Sequence, residues 1–547
     1  MNLIHDSWLP VRRFDGTKES IAPWQILAKH DTNPVLALDP PRPDFNGALT
    51  QFLIGLLQTC CEVDAETWAK WLFNPLTAEE IQARFNQVAE AFELDGDEPR
   101  FMQDFDKKME GTLNEVETLL IEAPGVNTIK NNMDHFVKRE RNGAMCKTCV
   151  ATALFVLQLN APAGGAGNRT GLRGGGPLTT LLQILNGSTH AESSRIFTPF
   201  GPTLFHQLWL NVLDSISFLK FSPDFPETGS PFPWMKSTRT SSNGEIVTPQ
   251  DAHPLTIFWG MPRRIRLDFD SSQKGNCSVC GKTSEELIQH YITKNHGENY
   301  DTWMHPLSPY YQDNEQAWLP SHPQPGGIGY RHWLDLTSEQ DKRKQAAVIS
   351  RFFELRYKFR KKVGYISLWA FGYDMDNMKP RGWHESKMPL FVMADSGKQT
   401  LLTGSAEMLI AGAKEVQLLL RQQIKKAWFS PKRKVSGNTS FIDITFWSAT
   451  ETSFFQQVEQ FQQRLENDED LNEINFTVMK QWQKDLSRVA TEIFDRWAES
   501  GNTEFGNFRR VAIARNDLQK RLRGANLRKI LGLPQPKKKS KLKKEAT

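Results

Sequence analysis

The 547-residue chain carries 67 Lys and Arg against 63 Asp and Glu, a formal net charge of +4, with 39% hydrophobic and 24% charged residues. That is the balance of an ordinary globular protein, long enough to bury more than one core, and it excludes collagen-like and low-complexity classes. No apolar run approaches the ~20 residues that span a bilayer, and the near-neutral total leaves any polyanion-binding role to local clusters of charge.

The opening, Met1-Asn-Leu-Ile-His-Asp6, lacks the basic and apolar zones of an export signal, so a reducing cytoplasm with no membrane partner is expected. Trp8-Leu-Pro-Val-Arg12 reads as a short extended piece. Gly47 to Phe73 is apolar at helical spacing and predicts one or two core helices, with Cys60 and Cys61 as buried, inert thiols. A basic run, Lys138-Arg-Glu-Arg141, precedes the pair Cys146-Lys-Thr-Cys149. Behind it comes the glycine-rich stretch Ala163-Gly-Gly-Ala-Gly-Asn-Arg-Thr-Gly-Leu-Arg-Gly-Gly-Gly176.

Residues 223–256 carry repeated Pro, Ser and Thr and read as irregular connection, a kind of long loop that is usually functional or mobile. The second pair, Cys277-Ser-Val-Cys280, follows, and then His290, His296 and His305. Lys342-Arg-Lys344 and Arg360-Lys-Lys362 flank an apolar helical stretch. From about Ser405 the pattern turns to amphipathic helices: Ala406 to Phe429, then roughly 450–466, 474–499 and 507–524. Lys432-Arg-Lys434 joins the first two. The last carries Arg509, Arg510, Arg515, Lys520, Arg521 and Arg523. Lys537 to Lys544 is too charged and too poor in apolar residues to fold.

The expectation is therefore an α+β chain: a mixed N-terminal domain over 1–395 with a zinc clip, a C-terminal four-helix bundle over 396–530, and a disordered basic tail over 531–547. Each Cys-x-x-Cys turn points two thiolates at one centre, and two turns complete the tetrahedral set that Zn2+ prefers. Cys149 and Cys277 are far apart, whereas a local zinc ribbon separates its pairs by about 15–20 residues. One shared structural zinc held by Cys146, Cys149, Cys277 and Cys280 is the leading reading; two separate or vestigial sites, and redox thiols, are the alternatives. A catalytic zinc would leave a coordination position open beside a general acid or base. The chain has no His-x-Glu before a Cys-x-x-Cys and no His-Glu-x-x-His, so the three histidines are the best case for a zinc-dependent nuclease or deaminase. A zinc-stabilised adaptor that binds only proteins is a further alternative. Several basic loops, with 16 Trp and 34 Phe, favour polyanion contact instead.

Cys146 to Phe155, Asn160-Ala-Pro162, the glycine stretch and Gly171-Leu-Arg-Gly-Gly-Gly-Pro-Leu-Thr-Thr180 resemble CasA, the large-subunit family of the type I-E CRISPR surveillance complex Cascade. Met1 to Arg12, Phe73-Asn-Pro-Leu-Thr77, Phe101-Met-Gln103, the second cysteine pair and Trp303-Met-His-Pro-Leu-Ser-Pro309 agree in the same order, up to about residue 530. The resemblance implies a subunit without catalytic chemistry of its own. It would act with the other Cascade subunits and CRISPR RNA, check the PAM of double-stranded target DNA, start duplex opening and help recruit a helicase-nuclease.

It also implies residues. The loop that approaches the minor groove corresponds to Gly164, Gly165, Ala166 and Gly167, where missing side chains permit close contact. The minor-groove lysine corresponds to Lys294, reached by counting back from Trp303; such a donor reads the groove only coarsely. Gly372-Tyr373 precedes a wedge hairpin over 374–378, with Asn377 where the family has glutamine, flanked by Asp376 and Met378. Phe136, in the loop Asp134 to Arg141 that precedes the first cysteine pair, stands where the family has a functional phenylalanine.

Overall fold

The computed structural model describes residues 1–97, 99–123, 143–160, 162–165, 167–174, 179–185, 198–221, 229–322, 326–339, 342–354, 366–376, 379–429, 439–500 and 508–535. The chain divides into two compact units, Met1–Gly327 with Glu339–Lys387, and Ile328–Ser338 with Met388–Thr547.

The first unit is mixed. Its described strands form five three-stranded sheets. Strand β1 (Leu9–Arg13) lies between β2 (Lys18–Ile21) and β3 (Val35–Leu38), and β10 (His290–Lys294) between β4 (Thr112–Glu115) and β7 (Arg264–Leu267). Strand β9 (Thr283–Ile288) lies between β5 (Met145–Cys146) and β8 (Gln273–Asn276). Strand β11 (Tyr310–Gln312) lies between β12 (Trp318–Pro320) and β13 (Arg343–Lys344). Strand β14 (Ile366–Asp376) lies between β6 (Thr180–Leu185) and β15 (Lys379–Pro389).

Helix α1 (Pro43–Cys60) is buried almost all round, so its sequence shows little polar face. Proline in its first turn and Asp44 beside it suit the helix start. The expected run of Gly47 to Phe73 is indeed two helices, the second (Ala65–Phe73) capped by the Asp64 side chain accepting from the Thr67 amide. Phe52 of α1 meets the rings of Trp8, Phe92, Phe101, Phe155 and Trp259 edge-on, with centroids 5.4–5.9 Å apart. Such pairs add about 0.5–1.5 kcal/mol each beyond area burial, which makes this ring cluster the centre of the core. Helix α2 (Lys147–Asn160) supplies Phe155, and the irregular 229–258 stretch supplies buried Phe232 and Trp234. That stretch lacks long elements but is anchored.

The second unit is helical: α3 (Ser396–Trp428), α4 (Ser440–Glu466), α5 (Leu471–Ser500), α6 (Phe508–Leu522) and the short α7 (Ala525–Ile530). Two starts differ from the sequence reading. Helix α3 begins ten residues before Ala406 because the Asp395 side chain accepts from the Lys398 amide and starts it. Helix α4 begins at Ser440 because Ile442, Phe446, Thr450 and Phe454 bury one face at four-residue spacing, which outweighs a β-branched and aromatic composition. Trp482 of α5 donates its indole N–H to the Leu409 carbonyl of α3 at 2.9 Å. Tyr330, from the 328–338 segment, stacks on Phe454 at 4.4 Å and shares a 2.8 Å hydrogen bond with Thr450. Among the described residues no helix is long and apolar enough to cross a membrane.

Candidate metal centre and nucleic-acid interface

The two Cys-x-x-Cys pairs converge. Strand β5 pairs antiparallel with β9, setting Cys146 opposite Leu287, and Cys149 sits in the first turn of α2. The second pair occupies the β8–β9 turn, which folds back through Gly281 N to Cys277 O (2.9 Å) and Cys277 N to Lys282 O (2.9 Å). Gly281 has φ +72°, a conformation that a side chain would strain. Ser278 N reaches the Ala144 carbonyl at 2.9 Å and so ties the two pairs together.

All four sulfurs lie within 4.8 Å of one another, and Cys146 Sγ is 3.9 Å from Cys280 Sγ. A tetrahedral ion with metal–sulfur bonds of about 2.3 Å needs sulfurs about 3.8 Å apart, so the set fits with little adjustment. Hydrogen bonding with Cys146 and Cys277, then burial, raises the Cys149 thiol, whereas bonds with Cys146 and Cys149 lower that of Cys277. These residues could hold a metal ion. Among the described residues they are the only group of three or more His, Cys, Asp or Glu side chains so placed, and no histidine belongs to it. His290 faces Glu115 at 3.7 Å, His296 faces Arg169, and His305 is buried beside Arg173, so the three serve separate places. Cys61 is buried and its thiol is pushed up to about 12, while Cys60 is half-buried.

The glycine turn and the Lys294 strand end meet. The His296 amide donates to the Gly167 carbonyl at 3.0 Å, and Gly164 N to Asn168 O at 3.0 Å closes the turn. Gly164, Gly165 and Gly167 all have positive φ (141°, 65° and 88°). Their surroundings differ. A Cβ on Gly165 would meet nothing within 4 Å, whereas one on Gly167 would lie 2.5 Å from Asn295 Cβ. Gly165 is thus open to a ligand, and Gly167 is glycine because Asn295 fills its side-chain space. Lys294 ends β10 opposite Arg264 of β7 and is exposed.

Arg169 braces the junction: Nε donates to Ser241 Oγ at 2.9 Å, and Nη2 lies 3.1 Å from Ser241 O and 2.8 Å from His296 Nδ1. Arg263 donates to the carbonyls of Arg169 (2.9 Å) and Pro162 (2.6 Å), and burial brings its guanidinium down to about 10. Arg173 is wholly buried, bonded to Thr180 Oγ1 at 2.7 Å and Gln51 Oε1 at 2.5 Å, with no carboxylate among its described partners; burial lowers it to about 10. The sequence reading singled out none of these three arginines, because polar pairing across distant segments leaves no local pattern.

Strands β14 and β15 are hydrogen-bonded neighbours that follow one another in the chain. Phe136, Ala166, Asn377, Met378 and the Asp376 side chain lie outside the described residues. Between these two strands, Asp374 is buried and clasped by Arg381 at 2.7 and 3.0 Å, a bidentate pair. Tyr373 donates to Asp44 Oδ2 at 2.6 Å, and Arg42 grips the same carboxylate. A Cβ on Gly47 would lie 2.8 Å from Phe371 and 2.9 Å from Trp383, so α1 carries the two strands at close range.

The six cations, five on α6 and Arg523 just past its end, divide. Arg510 binds the carbonyls of Ala427 and Trp428 at 2.9 and 3.1 Å, and Arg515 pairs with Asp495 at 2.6 and 2.7 Å. Arg509, Lys520, Arg521 and Arg523 are exposed.

Residues 2–493 match the model of the CRISPR-associated protein Cse1 family. The chain is similar in fold to CasA of Thermus thermophilus (16% identity, 95% of this chain and 99% of that one, TM-score 0.64). It is likewise similar to Thermobifida fusca Cse1 (14%, 97% and 98%, TM-score 0.68) and to a chain of a CRISPR RNA-guided surveillance complex (14%, 95% and 99%, TM-score 0.60). With the family model spanning most of the sequence, the chain belongs to the CRISPR-associated Cse1 family.

Proposed function

We propose that the chain is the large subunit of a CRISPR RNA-guided Cascade complex in the cytoplasm, where it reads the PAM of double-stranded target DNA through the minor groove and begins its opening. The observation that carries the reading is the joining of the open glycine turn to the Lys294 strand end through the Gly167–His296 hydrogen bond. A cation and a backbone without side chains, held side by side, suit a narrow groove lined by acceptors. The four thiols suit Zn2+ in a closed, structural role, fixing α2 against the β8–β9 turn upstream of this site. Residues 396–530 form the four-helix bundle in this reading, and the exposed cations of α6 meet phosphate. Other Cascade subunits, CRISPR RNA and a recruited helicase-nuclease are the partners.

The hairpin over 374–378 is the wedge. Exchange of duplex for RNA–DNA hybrid is nearly balanced, with stacking of about 1.4 kcal/mol per step, so initiation limits the rate. Replacing Asp376, Asn377 and Met378 by glycine should slow R-loop formation on an intact duplex, while a pre-opened bubble beside the PAM restores the rate. A variant equally slow on both substrates would remove the wedge from the proposal.

A further inference from the structure

We propose that the turn from Lys236 to Gly244 is a second wall beside the Lys294 strand end and binds a backbone phosphate of the duplex, with Lys236 supplying the charge. The inference rests on the DNA-reading role above and adds a site to it. The turn is fastened to that strand end. Thr240 Oγ1 donates to the His296 carbonyl at 3.1 Å, Ser241 Oγ donates to the Gly297 carbonyl at 2.7 Å, and Arg169 spans Ser241 and His296. Its end, Ser241 to Gly244, closes through Gly244 N to Ser241 O at 3.1 Å, with Gly244 at φ +85°, and Lys236 stands five residues before that closure. Within this irregular connection the 240–241 backbone is therefore tied to the same strand end as the glycine turn, with His296 common to both.

Its exposed chemistry is that of a phosphate site. Lys236, Ser237, Ser242 and Asn243 are exposed, as are Lys294, Asn295 and Asn168 across the junction. No carboxylate occurs between Lys236 and Gly244, although Glu245 stands exposed just past the turn. Among the described residues neither Lys236 nor Lys294 has an ion pair. Of the other nearby acids, Asp251 accepts from Thr248 N (2.8 Å) and Oγ1 (2.6 Å) and Asp104 holds Arg264, while Glu298 is buried under the Tyr300 hydroxyl within electrostatic reach of Lys236 and Arg239, burial raising its carboxyl. Partial burial, then the adjacent Arg239 charge, lowers the Lys236 ammonium, and the Glu298 charge offsets only part of this. A phosphate would relieve that repulsion, and Ser and Asn side chains add neutral donors of the kind that position a duplex without reading bases.

The test uses the complete complex with its guide RNA and measures affinity for duplexes bearing correct and scrambled flanking pairs across a salt series. Lys236→Ala should weaken both duplexes by the same factor and make the slope of log K against log salt shallower by about 0.9, the loss of one phosphate contact. Lys236→Arg should restore both. Lys294→Ala, run in parallel, should reduce the preference between duplexes instead. Unchanged affinity and slope for Lys236→Ala, with Lys294→Ala still losing preference, would overturn the second wall and leave the DNA-reading role standing. A wild-type complex that ignores the flanking pairs would overturn that role itself.

Discussion

Replacing Gly167 by alanine should damage the glycine turn far more than the same change two residues earlier. At φ +88° an L side chain is strained by about 1–3 kcal/mol, and the new Cβ would stand 2.5 Å from Asn295 Cβ and 2.9 Å from Asn295 Cγ. Relieving that overlap moves Asn295 and costs roughly another 1–3 kcal/mol. The His296 amide nitrogen would be only 3.1 Å from the new Cβ and donates to the Gly167 carbonyl, so that hydrogen bond is the first to give. A combined local cost of about 3 kcal/mol corresponds to roughly a hundredfold faster amide exchange at 1.4 kcal/mol per decade. Gly165→Ala has nothing within 4 Å and keeps only the strain of φ +65°, so its effect should stay within about tenfold. Hydrogen exchange followed on the peptide spanning 292–298 reads both variants directly. Equal exchange in the two, or wild-type exchange in Gly167→Ala, would refute the claim that Asn295 locks the turn.

Gently purified protein should contain one zinc per chain, and Cys146→Ser or Cys277→Ser should release it and lower the melting temperature; well under one zinc in the wild type would defeat the structural site. Glu298 is buried, and desolvation raises its carboxyl above the ordinary value. A carboxyl raised on folding stabilises fully below its unfolded pKa and loses that contribution as pH rises through the folded one. Glu298→Gln should therefore raise the melting temperature at neutral pH, with the gain vanishing towards pH 4, and a gain independent of pH would contradict the burial argument.

The sequence told most where chemistry repeats locally. Cys-x-x-Cys spacing announced paired thiolates, and the structure joins the two pairs across a long stretch of chain through β5 and β9. The mixed N-terminal part and the helical C-terminal region were readable from periodicity, because helices such as α5 keep an amphipathic pattern. Helix starts were less legible: Asp395 and Ile442 act through capping and tertiary packing, not composition. The bracing of the glycine turn by Arg169 and Arg263, the buried Arg173 and the Asp374–Arg381 clasp escaped notice, since an arginine's partner on a distant segment leaves no trace beside it in sequence. The reason for glycine at 167 was also hidden. Close approach to a ligand and close approach to Asn295 demand the same residue, and only the packing separates them.

The most direct test of the central claim is equilibrium binding of guide-matched duplexes, with the flanking base pairs varied, to the complete complex carrying wild-type chain or Lys294→Ala. The account predicts that the wild type prefers one set of flanking pairs by at least tenfold, about 1.4 kcal/mol, and that Lys294→Ala collapses most of that preference. Uniform weakening of every duplex by Lys294→Ala, with the preference intact, would contradict it.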